Sequence, residues 1–173
     1  MWFSFSVYTL LLLLTYYSVG SKNFLKKVGF KKIRFVQDSA HALCLAFAMV
    51  LVSIAISISF VYIGMGEDTA KVTQTIMSAQ LWQVLIILII GPIIEEIFFR
   101  GYLQKKTNLI TASAAFSYFH VLYGSVSELA GAFILGLMLG KAFENTKNLY
   151  IPVLSHYLYN FTVLAIALAA QAS

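Results

Sequence analysis

Six apolar stretches of about membrane length, near residues 1–19, 39–65, 81–103, 107–123, 127–143 and 150–169, make up most of this sequence, and short polar breaks separate them. About 20 apolar residues of α-helix cross a hydrocarbon core about 30 Å thick. The pattern predicts an all-α fold: a polytopic membrane helix bundle of about six transmembrane helices, forming a single membrane domain over residues 1–173. Composition points the same way. The chain is 60% hydrophobic and 11% charged, whereas soluble domains are about half apolar and about a quarter charged. So few charges cannot cover a globular surface in water, which sets aside a disordered chain, a disulfide scaffold and a nucleic-acid binder. The single cysteine, Cys44, has no partner for an internal disulfide.

The net charge of +5 is explained by its location. Six of the twelve basic residues are Lys22, Lys26, Lys27, Lys31, Lys32 and Arg34. They follow the first apolar stretch, and no charge precedes it, which reverses the polarity of a signal peptide. That stretch reads as a spanning helix with its N-terminus outside. When the six stretches are threaded alternately, three places share one side: the loop after the first stretch, the end of the third and the turn after the fifth. They hold eleven of the twelve basic residues, Lys71 being the exception. The positive-inside rule makes that side cytoplasmic and puts both chain ends outside. The charge therefore reads as topology with anionic lipid contact. The bilayer is an expected partner and nucleic acid is not.

Chemistry is easiest to find by asking which side chains a bilayer rejects. A charge at a helix centre costs about 2.5–3.5 kcal/mol on insertion scales. Within the expected helices such residues are Glu95, Glu96 and Arg100 in the third, His120 in the fourth, and His156 with Asn160 in the sixth. Arg100 follows Glu96 by four, so the two share a face and can pair. Glu95 points about 100° away and has no partner on its own helix. His156 and Asn160 also share a face. Helix rise puts Glu95 about 15 Å from Lys105, His156 about 12 Å from Asn148 and His120 about 20 Å from Thr107, which are overlapping depths. Against this stands the plain reading that carboxylates near an interface pair with lysines and that histidines pack. His41, close to the basic loop, is assigned no role.

Pro92, just before Glu95, is expected to kink the third helix and, with Gly91, to open a wet cavity beside Glu95. Pro152 fits the first turn of the sixth helix. Ser125 and Glu128 have capping-box spacing for the fifth helix. Ala132, Gly136 and Gly140 form a small-residue face that reads as packing, and Tyr150, Tyr157 and Tyr159 read as interface or wall residues.

Glu95-Glu96-Ile97-Phe98-Phe99-Arg100 is an EExxxR motif continued by Gly101, Phe116-Ser117-Tyr118-Phe119-His120 is FxxxH, and His156-Tyr157-Leu158-Tyr159-Asn160 is HxxxN. In this order, over about residues 81–165, they resemble the CPBP family of CAAX proteases and bacteriocin-processing enzymes, also called Abi proteins, which includes the type II CAAX prenyl endopeptidases. The resemblance implies an intramembrane glutamic endopeptidase of a bacterial cell membrane, needing no cofactor and acting on a peptide or protein substrate. Glu95 would be the general base, His120 would hold the water, His156 and Asn160 would stabilise the oxyanion, and Glu96 and Arg100 would support the site. The residues by themselves leave other readings open. Glu95, His120 and His156 could serve as a zinc set, although no HExxH is present. The chain could be a bacteriocin-immunity or scaffold protein that binds without cutting. Intramembrane Glu and His could relay protons in a transporter, although no inverted repeat is visible.

Overall fold

The structure is a computed structural model that describes residues 2–172, with side chains over residues 6–169. All regular structure among the described residues is helical: α1 Trp2–Val19, α2 Phe24–Val28, α3 Phe35–Tyr62, α4 Gly66–Met77, α5 Leu81–Lys106, α6 Leu109–Phe119, α7 Val126–Thr146 and α8 Tyr150–Ala172. The six expected apolar helices are present as α1, α3, α5, α6, α7 and α8. Among the described residues four of them, α3, α5, α7 and α8, are long and apolar enough to cross a membrane, while the described part of α1, Ser6–Val19, and the segment Leu109–Tyr123 are shorter. The eleven residues of α6 rise about 17 Å, so this helix stops part-way through a hydrocarbon core.

The bundle is arranged as a bilayer requires. On α3, Leu43, Phe47, Leu51, Ile54 and Ile58 recur at helical spacing and are exposed, while Asp38, Ala42, Ala46 and Met49 are buried. The large apolar side chains face lipid, and small or polar ones pack inward. Helix α6 runs along α7, α8 packs on α3, α7 and α5, and α1 lies against α5.

The three basic places do share one end. Lys105 Nζ donates to Lys27 O at 2.8 Å, and Leu149 N donates to Gly29 O at 2.9 Å. Buried Asp38 accepts from Asn148 Nδ2 at 3.1 Å and from Arg34 N at 2.9 Å. That contact starts α3 at Phe35, four residues before the expected start.

Several expectations are corrected. The polar stretch after α3 is not a plain break but contains helix α4, and the basic loop contains α2. Helix α5 continues through Pro92 with its hydrogen-bond register changed. It widens into π turns at Ile86–Ile90 and Phe99–Leu103, where Gly91 N donates to Ile86 O and Gln104 N to Phe99 O. The wider turn re-registers the backbone around a residue that has no N–H to give, and Pro92 itself is buried. His120 is not inside a helix. It ends α6 as its C-cap, followed by a 3₁₀ turn, Val121–Tyr123, that closes on Gly124. Pro152 does lie in the first turn of α8.

At the end away from the lysine cluster, α4 caps α7. Asp68 Oδ2 accepts from Ser127 N at 2.8 Å and from Ser125 Oγ at 2.9 Å, and Oδ1 accepts from Val126 N at 3.2 Å and from Lys71 Nζ at 3.1 Å. The Ser127 amide above all, then Lys71 and the serine hydroxyls, hold the Asp68 carboxyl well below the usual carboxylate range, against the opposing effect of burial. Because the pKa is depressed in the fold, this contribution to stability is complete above the unfolded value, about pH 4, and is lost as pH falls below it. The thermal midpoint of the detergent-purified protein is therefore expected to fall between about pH 5 and about pH 3. Asp68→Asn should lower the midpoint at neutral pH and flatten that acid limb; an unchanged acid limb would remove Asp68 from the account.

Candidate active site

The site is built on a buried ion pair that α5 carries through the bundle. Arg100 Nη1 donates to Glu96 Oε1 at 2.9 Å, with the two side chains 1% and 0% exposed. Arg100 Nη2 donates to Gly136 O on α7 at 3.1 Å, and the guanidinium lies 4.4 Å from the centre of the Phe116 ring on α6. One turn further along, Gln104 Nε2 donates to Gly140 O at 3.0 Å. The small-residue face of α7 is what permits these bonds. A Cβ on Gly136 would stand 3.2 Å from Ser113 Cβ, and one on Gly140 would stand 2.4 Å from Leu109 Cδ1. The glycines let neighbouring helices come close enough for the α7 carbonyls to be reached from α5.

Glu96 Oε1 also accepts from His156 Nδ1 on α8 at 3.0 Å. That bond sets the ring's orientation and turns Nε2 toward Glu95, whose Oε2 lies 3.9 Å away. The other oxygen of Glu95, Oε1, accepts from Tyr8 Oη on α1 at 2.9 Å. His120 Nδ1 lies 2.8 Å from Phe116 O. A carbonyl can only accept, so this nitrogen carries the proton and Nε2 is an acceptor in the neutral ring. The ring is further held by Phe116 and Tyr123, whose centroids lie 4.7 and 5.9 Å away.

His120, His156 and Asn160 line one cavity of about 190 Å³, together with Glu128 of α7 and the Thr69–Thr73 face of α4. Glu95 and Pro92 do not line it, so the expected cavity beside Glu95 is displaced. Glu95 meets this cavity through the His156 ring. Among the described residues no three His, Cys, Asp or Glu side chains gather as metal ligands.

Sequence reasoning missed Tyr8, Glu128 and the Gly136 carbonyl. Tyr8 sits in an unbroken apolar run and gives no signal. Glu128 gave one, as an acid in the first turn of a membrane helix, but its spacing from Ser125 suggested only a cap. Arg100→Ala would leave Glu96 buried without its cation and Gly136 O without a donor. It is expected to cost about 3–5 kcal/mol in denaturant unfolding of the purified protein. A loss below about 1 kcal/mol, the range of exposed pairs, would show that this pair does not clamp the bundle.

Comparison with known proteins joins this geometry to a family. Residues 77–162 match the family described as type II CAAX prenyl endopeptidase Rce1-like. Over 107 residues the chain is 29% identical to a Bacillus subtilis (strain 168) protein named "Putative membrane peptidase YdiL", an alignment covering 59% of this chain and 43% of that one. Over 69 residues it is 39% identical to "Uncharacterized protein YpbD" of the same organism, covering 37% of this chain and 34% of that one. The matched stretches thus span less than half the length of either relative. No solved structure matches the chain. The apolar helices and the bacterial relatives together describe a multi-pass bacterial membrane protein.

Proposed function

We propose, for a chain that belongs through residues 77–162 to the Rce1-like family of type II CAAX prenyl endopeptidases, that it hydrolyses a peptide bond within the membrane by a glutamate-activated water. The observation that carries this reading is His156, bound to Glu96 through Nδ1 and facing Glu95 through Nε2, at the wall of a cavity that His120 and Asn160 share. Glu95 is the carboxylate left free to act as a base, since Glu96 is taken by Arg100 and His156.

In this mechanism a water donates one hydrogen bond to Glu95 and the other to Nε2 of His120. Glu95 removes its proton as the oxygen attacks the scissile carbonyl. His156, as the imidazolium that donates from Nδ1 to Glu96 and from Nε2 to the substrate, and the Asn160 amide donate to the oxyanion that forms. Donors already in place within a water-poor site stabilise that charge without reorganising. Glu95 then passes the proton to the leaving nitrogen, the C–N bond breaks, and the second water proton moves from the new carboxyl group to the amine, giving a carboxylate and an ammonium. Tyr8 orients Glu95 through Oε1. The substrate class is a peptide precursor or a membrane-associated protein, with bacteriocin processing as one such case.

Glu95→Gln keeps the shape and removes the base. In liposomes holding the full chain, cleavage of a membrane-associated peptide mixture, followed by mass spectrometry of new termini, is expected to fall about 100- to 10,000-fold. Asn160→Ala is expected to fall about 100- to 1,000-fold. Wild-type rates in Glu95→Gln would remove Glu95 from the mechanism. Loss of wild-type cleavage on chelation, restored by zinc, would replace it with a metal-assisted one. Protection against a bacteriocin that survives both Glu95→Gln and His156→Ala would point to binding without cutting.

A further inference from the structure

The cavity beside the two histidines holds a carboxylate that the hydrolytic machinery does not use. Glu128 is half-buried in the first turn of α7 and lines the same space as His120, His156 and Asn160. A glutamate at this position ordinarily completes a capping box by reaching back to the N-cap amide. Here Ser125 Oγ accepts from Glu128 N at 3.1 Å, but Asp68 of α4 takes the Val126 and Ser127 amides. The helix end is therefore served from another helix. The Glu128 carboxylate makes no hydrogen bond or ion pair among the described residues. His156 is committed to Glu96, and His120 Nδ1 to Phe116 O.

An unpaired carboxylate in a membrane bundle is costly unless something answers its charge. The rest of the lining says what would. Ser53 Oγ donates its proton to Val50 O, and Thr69 Oγ1 donates to Gly66 O. Both hydroxyls therefore offer only lone pairs elsewhere. Met49 and Leu135 supply apolar wall. A cavity of about 150 Å³ holds benzene, so about 190 Å³ admits a four-carbon stem. Ser57, Thr73, Tyr159 and Asn160 also line the cavity and can donate, but the carboxylate, the two committed hydroxyls and the apolar wall together fit a group that brings donors and a positive charge. That is an alkylammonium on its methylene stem.

Building on the hydrolase reading, we infer that this cavity is a substrate subsite in which Glu128 binds a cationic group, a lysine-type side chain or a free N-terminal ammonium, next to the scissile bond. The subsite selects substrates by charge, and Glu128 is its specificity residue.

The test uses the full chain in liposomes and two readouts. In the first, peptides matched except for lysine, norleucine or glutamate at each position around the cleavage site are compared by kcat/KM, each with a free and an acetylated N-terminus. Wild type is expected to favour lysine over norleucine by about tenfold or more, the worth of a charged hydrogen bond. Glu128→Gln should bring that ratio near one, and Glu128→Lys should favour glutamate. If acetylation, and not the norleucine change, removes the preference, the bound group is the N-terminus. A wild-type kcat/KM that changes neither with lysine-to-norleucine replacement nor with acetylation, or a preference of either kind that survives Glu128→Gln, overturns the inference. The second readout needs no activity. n-Butylammonium is expected to raise the thermal midpoint of wild type and of Glu95→Gln, and not of Glu128→Gln. Failure of proteolysis alone leaves this shift intact, whereas absence of the shift in wild type sinks the subsite.

Discussion

The Arg100 guanidinium is the one charge that the rest of this bundle is organised around. It is 1% exposed, so it cannot be solvated from outside. Every requirement of the ion has to be met by neighbours: Glu96 for charge, Gly136 O for a second donor and the Phe116 face for its plane. Each partner comes with a geometric demand. The carbonyl demands a glycine, the glycine demands close approach of α6 and α7, and Glu96 in turn fixes His156. Burying a pair like this gains little over well-packed apolar residues, whereas removing one partner is severe. The pair is therefore better understood as a device that specifies one arrangement than as a source of stability. That arrangement is what places an imidazole of α8 beside a carboxylate of α5.

How much of this could be read from the residues depends on the range of the interaction. Helices α3, α5, α7 and α8 were legible because a run of apolar residues long enough to cross lipid leaves the backbone little alternative to helix. The Glu96–Arg100 pair was legible because it lies within one helix at a spacing of four. The orphan status of Glu95 was half-legible: its lack of a partner on α5 was visible, but Tyr8, 87 residues away, was not. Helix α4 was hidden because its polar residues look like a loop until Asp68 is seen to serve the end of α7. The π turns were hidden because a proline announces a missing donor, not how the chain will absorb it. His120 was placed in mid-helix because the apolar run continues to Tyr123, while the α-helix stops at Phe119.

The short α6 has a consequence for how water reaches a site inside a membrane. A helix of about 17 Å cannot span, so the space above its end must be filled by something else. In this fold the 3₁₀ turn and α4 fill it, and α4 brings Thr69 and Thr73 to the cavity. Polar backbone and hydroxyl groups at that depth are tolerated only where they line a cavity or are buried in protein. The same truncation that leaves His120 at a helix end, with its ring free to point inward, also makes the region around it polar enough to hold a water.

Three carboxylates stand close to this region, and their different surroundings separate their tasks. Glu96 accepts from a guanidinium and an imidazole on one oxygen, so its charge is already answered and it serves as a fixed post. Glu95 accepts one phenolic hydrogen bond and faces an imidazole at 3.9 Å. It is held in place without an arginine partner, which is the combination the proposed general base requires. Glu128 has neither arginine nor imidazole bound to it, and its capping duty is carried by Asp68. A carboxylate so released is of use only to something that arrives from outside the fold. The ordering from ion-paired to unpaired thus parallels the proposed roles of scaffold, base and recognition group, and it follows from which helix each acid sits on and what the neighbouring helix presents to it.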